Sequence, residues 1–250
     1  LRDRRIVFER QKRFYESEKM IALLTNDDGI DAEGLDALKE LATDYFDTVW
    51  VVAPAEQMSQ IGHRVTTSTP IRFEQKGEHS FAVHGTPADC TRVALAQLLP
   101  EQPDWIFSGI NHGGNLGRHD FVISGTVAAV REGAFAGIKG AAFSHFMRRG
   151  LELDWDRASY LVRKAFESFR TEKTTCGEFW NVNLPHPNPG DSEPEVIRCE
   201  QEQQPLLVAY EKASNDELLY VGDYHERPRR EGSDVDVCFG GDIAVSLVSL

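Results

Sequence analysis

Directly after a short apolar run, Ile21 to Leu24, the chain carries Thr25-Asn26-Asp27-Asp28-Gly29. Two adjacent carboxylates at the end of a buried strand repel each other unless a cation sits between them, and a hard divalent ion with oxygen ligands meets that need. The same residues also make a good turn, because Asn and Asp side chains bond their own backbone and Gly tolerates unusual backbone angles. By itself the segment fits either a metal site or a tight turn. It is not an EF-hand, since the alternating oxygen ligands and the glutamate at loop position twelve do not follow Asp27.

A second cluster is S-G-I-N-H-G-G-N-L-G at 108–117, followed by I-S-G-T-V at 123–127. Free backbone N–H groups at the start of a helix, beside small hydroxyl residues, form a cradle for phosphate, and Ser124, Gly125 and Thr126 suit that task. At the same mouth Asn111 offers a neutral oxygen to a metal, and Asn115 offers a donor to a phosphoryl oxygen. The plain alternative is a loop with an ordinary serine N-cap. A third cluster, A-P-A-E-Q-M-S-Q-I-G-H-R-V-T at 53–66, brings Ser59 and His63 to the same edge. A lone histidine is more often structural than functional. Dinucleotide and P-loop glycine signatures, H-E-x-x-H and G-x-S-x-G are absent, and Cys90 in G-T-P-A-D-C reads as a packed helix residue.

These clusters need a scaffold that brings strand ends together. From Met20 the chain alternates short apolar runs with longer amphipathic segments, which predicts an α/β domain with a largely parallel sheet. Strands are expected at Ile21–Thr25, Thr48–Ala53, Phe81–His84, Trp105–Ile110 and Ala141–Ser144. A helix carrying Leu35, Leu38 and Leu41 follows the first strand, with Asp31 as its cap. Pro87 starts another, and Thr126 to Gly137 forms a third. Beyond residue 150, a helix over 153–169 and a strand over 179–184 are expected. Further strands over 196–199, 206–210 and 235–250 would make this half antiparallel. The open carboxyl edge of such a sheet is where ligands bind.

Composition limits the partners. The 250 residues are 41% hydrophobic and carry 40 acids against 27 bases, a net charge of −13. That balance repels duplex nucleic acid, so a phosphorylated ligand would need a metal or a helix N-terminus. The apolar runs are far too short to cross a bilayer. The four cysteines are widely spaced, and no secretory leader is visible, so the cytoplasm is the expected compartment. Residues 1–19 carry five Arg and two Lys against one Asp and three Glu, and read as a basic extension ahead of a domain beginning at Met20.

Taken in order, T-N-D-D-G, V-V-A-P with S-x-x-G-H-x-V-T, G-T-P-A-D-C, S-G-I-N-x-G-x-N-L-G and S-G-T-V-A-A-x-R-E-G resemble the SurE family, the stationary-phase survival protein. The resemblance covers Met20 to about Ser144 and returns weakly at the terminal G-G-D-I-A-V-S-L-V-S-L. It implies a Rossmann-like three-layer domain, with a core over 20–145. A C-terminal part over 146–250 would supply a hairpin and tail that exchange between subunits of a homodimer or homotetramer. It further implies a 5'/3'-nucleotidase that hydrolyses nucleoside monophosphates, and in some members short polyphosphate, with one manganese or magnesium ion. Carried over, Asp27, Asp28, Ser59 and Asn111 would ligate the metal. Asn115, Ser124, Gly125 and Thr126 would hold the phosphate. From its loop position His63 is a further candidate for substrate binding, and Asp27 and Asn115 are the candidates for catalysis. Two residues depart from the family pattern: Gln60 stands where glycine is usual after the serine, and Ile123 where tyrosine precedes Ser-Gly-Thr. A non-catalytic nucleotide-binding regulator, or a phosphatase for another small phosphomonoester, would use the same scaffold.

Overall fold

A computed structural model describes residues 19–188 and 190–250. The proposed basic extension, apart from Lys19, lies outside the described residues.

The first strand, β1 (Ile21–Thr25), is buried along its whole length, as a strand covered on both faces must be. After it come α1 (Glu33–Ala42), β2 (Thr48–Pro54), β3 (Phe73–Gly77), β4 (Ser80–Val83) and α2 (Pro87–Val93). Next are β5 (Trp105–His112), α3 (Gly117–Ile123), α4 (Gly125–Phe135), β6 (Lys139–His145), α5 (Trp155–Phe169) and β7 (Glu178–Leu184). The remainder is β8 (Val196–Arg198), β9 (Tyr210–Lys212), β10 (Leu218–Tyr220), α6 (Asp234–Gly240) and β11 (Ile243–Ser249).

Nine strands form one sheet in the order β3-β4-β2-β1-β5-β6-β7-β11-β8, while β9 and β10 pair apart as a hairpin. From β4 to β7 every neighbouring pair is parallel. On one face α1 and α5 cover an aromatic core in which Phe166 packs edge-on to Phe107 and Trp105, with ring centroids 5.0 and 5.2 Å apart. On the other face lie α2 and α4. The result is the expected three-layer α/β architecture.

Several local expectations change. The N-cap of α1 is Ala32 and makes no side-chain bond, because the turn after Gly29 leaves Asp31 exposed ahead of the helix. Residues 206–209 are not a strand; the hairpin starts at Tyr210. Val235 lies in a helix, since the Ser233 hydroxyl caps α6 by accepting the Asp236 N–H and Gly241 closes it in a left-handed conformation. The C-terminal half is mixed, with β7–β11 antiparallel but β6–β7 and β8–β11 parallel.

This topology determines where a site can form. From β1 the chain steps outward through β2 to β4, then returns to the opposite side of β1 as β5. The strand order reverses between β1 and β5, and the crevice outside such a reversal is the favoured ligand position in an open α/β sheet.

Candidate active site

The end of β1 opens directly into Asn26-Asp27-Asp28-Gly29. Asn26 folds the turn on itself: its Nδ2 donates to the Gly29 carbonyl at 2.7 Å and its Oδ1 accepts the Gly29 N–H at 3.2 Å. The turn is thereby closed without using either aspartate. Asp27 is only 4% exposed, and its Oδ1 accepts the Thr126 hydroxyl at 2.6 Å. Burial is the main cause that raises its carboxyl to about 6, with Asp28 adding to the rise and the Thr126 hydroxyl opposing it. Asp28 is half-buried and accepts the His112 N–H at 3.0 Å.

The opposite wall comes from β5. Between Ser108 and Asn111 its register against β6 slips by one residue, a bulge that re-aims the side chains beyond it. Gly109 permits the bulge: its φ is +132°, and a Cβ there would lie 2.2 Å from the Phe143 carbonyl oxygen. Asn111 then donates its Nδ2 to the Gly113 carbonyl at 2.6 Å, leaving its Oδ1 for a ligand.

Across the crevice stands the start of α4. Ser124 is its N-cap and accepts the Val127 N–H at 3.1 Å, and the Gly125 and Thr126 N–H groups have no partner inside the helix. Gly125 allows the helix end to approach Asp27 closely, because a Cβ there would meet the Asp27 Cβ at 2.9 Å and Oδ2 at 3.0 Å. The Thr126 side chain is committed to Asp27, so only its N–H remains for an anion.

Asn115 is held more firmly than its sequence suggests. Its Nδ2 donates to Ser144 Oγ at 2.6 Å, its N–H to Asn183 Oδ1 at 2.8 Å, and its carbonyl accepts from Asn181 and Asn183 at 3.0 and 3.2 Å. Ser144, Asn181 and Asn183 were missed in the sequence. The available signal was the two-residue spacing of Asn181 and Asn183, which puts both amides on one face of an otherwise apolar strand.

The third loop is tied to the site from behind. The Met58 N–H donates to the Asp27 carbonyl at 2.7 Å, which brings the exposed Ser59 alongside; Ser59 Oγ accepts from Gln57 at 3.0 Å. His63 is spent on α4: its Nε2 donates to Glu132 at 2.8 Å and its Nδ1 accepts from Arg131 at 3.2 Å. Thr66 is fastened to Asp89 of α2, which also forms the reciprocal cap with Thr86. The structure thus gathers Asp27, Asp28, Asn111, Asn115 and Ser124 to Thr126 around the switch point. His63 anchors the loop and makes no hydrogen bond to that group.

Comparison with known proteins gives this constellation a family. The profile of "Survival protein SurE" matches residues 22–205. The chain belongs to the SurE family. A Synechocystis protein is 49% identical over 225 residues, covering 90% of this chain and 97% of its own. The 5'-nucleotidase SurE of Allorhizobium ampelinum is 39% identical over 174 residues, covering 69% of this chain and 68% of that protein. The crystal structure of the SurE protein from Aquifex aeolicus superposes with a TM-score of 0.77 at 29% identity, covering 92% of this chain and 93% of its own.

Both departures from the SurE pattern lie at the rim. Gln60 has φ +60°, the left-handed region that glycine occupies without strain. Ile123 ends α3, 44% exposed, and its carbonyl accepts the Gly62 N–H at 3.0 Å. Neither displaces a group of the crevice. The candidate donors at the crevice are all oxygen: Asp27 Oδ2, Asp28 and Asn111 Oδ1, with the exposed Ser59 on the adjoining loop. Below it the Thr25 and Ser108 hydroxyls, neighbours across β1 and β5, are buried without partners. Two carboxylates with neutral oxygens above a polar floor fit one hard divalent cation. Among the described residues no cluster of three or more His, Cys, Asp or Glu offers a competing site.

Proposed function

We propose that this SurE-family chain is a divalent-metal-dependent phosphomonoester hydrolase acting on nucleoside 5'- or 3'-monophosphates, and on short polyphosphate. The observation that carries the reading is Asp27, a carboxylate buried at the switch point and facing the open N–H groups of a helix start. Such a pair suits a cation and a phosphate held side by side. Asp27, Asp28, Ser59 and Asn111 would hold the ion, Mn2+ or Mg2+. When bound, it would lower the pKa of a water and neutralise charge on the phosphoryl oxygens.

The protein's own groups do the rest. The Gly125 and Thr126 N–H groups and the Ser124 hydroxyl receive the phosphoryl oxygens and stabilise the equatorial charge that develops during transfer. Asp27 Oδ1 is taken by Thr126, so Oδ2 would use one lone pair on the ion and the other to orient the attacking water. Asn115 sets the height of the cradle through its bonds to Thr126, Ser144 and Asn183, and His63 keeps the Ser59 loop against α4.

Assembly through the C-terminal hairpin is part of the proposal. Leu207, Val208, Tyr210, Leu218, Leu219 and Tyr220 are all exposed there, which favours a homodimer or homotetramer in which a second copy covers them. No helix among the described residues is long and apolar enough to cross a membrane, and we place the activity in the cytoplasm.

The test is phosphate release from nucleoside monophosphates, p-nitrophenyl phosphate and short polyphosphate with Mn2+, Mg2+ or EDTA, for the wild type and Asp28→Asn. Metal-dependent release that falls at least 100-fold in the variant, with its melting curve intact, is expected. An unchanged rate at saturating Mn2+ would refute the ligand assignment.

A further inference from the structure

A second cavity, of about 550 Å3, opens at the carboxyl ends of β6 and β7 on the α5 side of the sheet. Its walls include His145, His186, Glu152, Asp154, Asp191 and Ser192, and its size is within the range of small-molecule sites. A larger hollow of about 700 Å3 lies at the far sheet edge, where both its arginines are already paired, as Arg198–Glu172 and Arg230–Glu200.

His145 is the unusual group in the second cavity. It is 3% exposed, and its Nδ1 lies 2.9 Å from the Phe146 carbonyl. A carbonyl only accepts, so Nδ1 carries the proton. Burial, with His186 adding to it, pushes His145 down to about 4, so the ring is neutral and Nε2 presents a lone pair. Among the described residues nothing donates to that lone pair. His186 packs edge-on at 5.0 Å but is fully used, accepting the Arg148 N–H on Nδ1 and donating Nε2–H to the Glu152 carbonyl.

The rest of the lining is rich in acceptors. Glu152, Asp154 and Asp191 supply carboxylates, and the cavity's cation, Arg157, is paired with Glu193. This environment repels phosphate and favours a neutral group bearing N–H or O–H donors. The cavity adjoins the same strand end as the cradle. Ser144, the residue before His145, takes the Asn115 amide on the α4 side. Neighbouring strand residues face opposite sides of a sheet, so cradle and cavity straddle the end of the same strand.

We propose that this cavity is the nucleoside subsite, and that His145 Nε2 accepts a hydrogen bond from the base or ribose of the substrate. The inference rests on the nucleotidase reading for its ligand, but it is tested without turnover. Protein labelled with 15N-histidine is titrated with adenosine, guanosine, cytidine and uridine, then with ribose and free bases. His145→Phe identifies the resonance among the eight histidines. The free protein should show His145 as the Nδ1–H tautomer. At least one nucleoside should bind saturably and shift its unprotonated nitrogen, and ribose against free base shows which half supplies the donor. Ser192→Trp, at the exposed rim, should weaken that binding at least tenfold. If no nucleoside moves the His145 signal at millimolar concentration, or Ser192→Trp binds as the wild type does, the subsite is wrong. Nucleoside binding without phosphate release would instead remove the catalytic reading and leave the subsite standing.

Discussion

Asp27 should destabilise the metal-free protein, and replacing it should show by how much. Its carboxyl is raised from 3.8 to about 6, roughly two pKa units at about 1.4 kcal/mol each, or about 3 kcal/mol. Between pH 4 and 6 the folded state binds more protons at this group than the unfolded chain, so its contribution to stability falls as pH rises through that window. Above pH 7 the whole penalty is present; below pH 4 it is gone. Asp27→Asn keeps an oxygen to accept the Thr126 hydroxyl and removes the charge. In EDTA the variant should therefore match the wild type at pH 4 and exceed it by about 3 kcal/mol at pH 7.5. For a chain of this size that is about 6–12 °C in Tm. Urea unfolding of both proteins from pH 4 to 8 provides the test, because the difference cancels every other titrating carboxylate. A difference that stays flat with pH, or a variant less stable at pH 7.5, would refute the argument. The variant should have lost its metal-dependent turnover, so the same charge that weakens the fold would be the one the reaction needs.

Two further outcomes follow from the surroundings of the site. Arg227, 2% exposed, meets Asp120 of α3 at 2.6 Å, and Tyr224 donates to the same carboxylate at 2.8 Å; Arg227→Ala should cost about 3–5 kcal/mol by leaving that buried acid without its cation, read by urea denaturation. Gln60→Gly relieves a left-handed residue and should leave stability equal or up to about 1 kcal/mol higher, with a loss of more than 1 kcal/mol in the same assay counting against strain at that position.

The parts of the site legible in the sequence are those specified by near neighbours. Ser124 reads as a cap because its partner, Val127, is three residues away, and β1 reads as buried because all its residues are apolar or small. The residues that went unread act across the sheet. Asn181 and Asn183 reach Asn115 from sequence distances of 66 and 68, and only the β5-β6-β7 register brings them together. Val235 to Gly240 failed for a different reason: over six residues, alternation and helical spacing overlap, and the Ser233 cap decided between them. His63 illustrates the limit set by sequence distance: its loop position brings it to the site's edge, but its ring partners Glu132 and Arg131 lie 69 and 68 residues away on α4.

The two readings of Asn-Asp-Asp-Gly, a turn or a metal site, are compatible with one another in this structure. Asn26 supplies both bonds that close the turn, so neither aspartate is consumed in making it. The turn in turn aims Asp27 at α4 and Asp28 at the end of β5. Had an aspartate closed the turn, its oxygens would be drawn to the backbone and the crevice would present one carboxylate instead of two. The pair of carboxylates that the proposed divalent ion would need therefore depends on an amide, at a position where an acid would make an equally good turn.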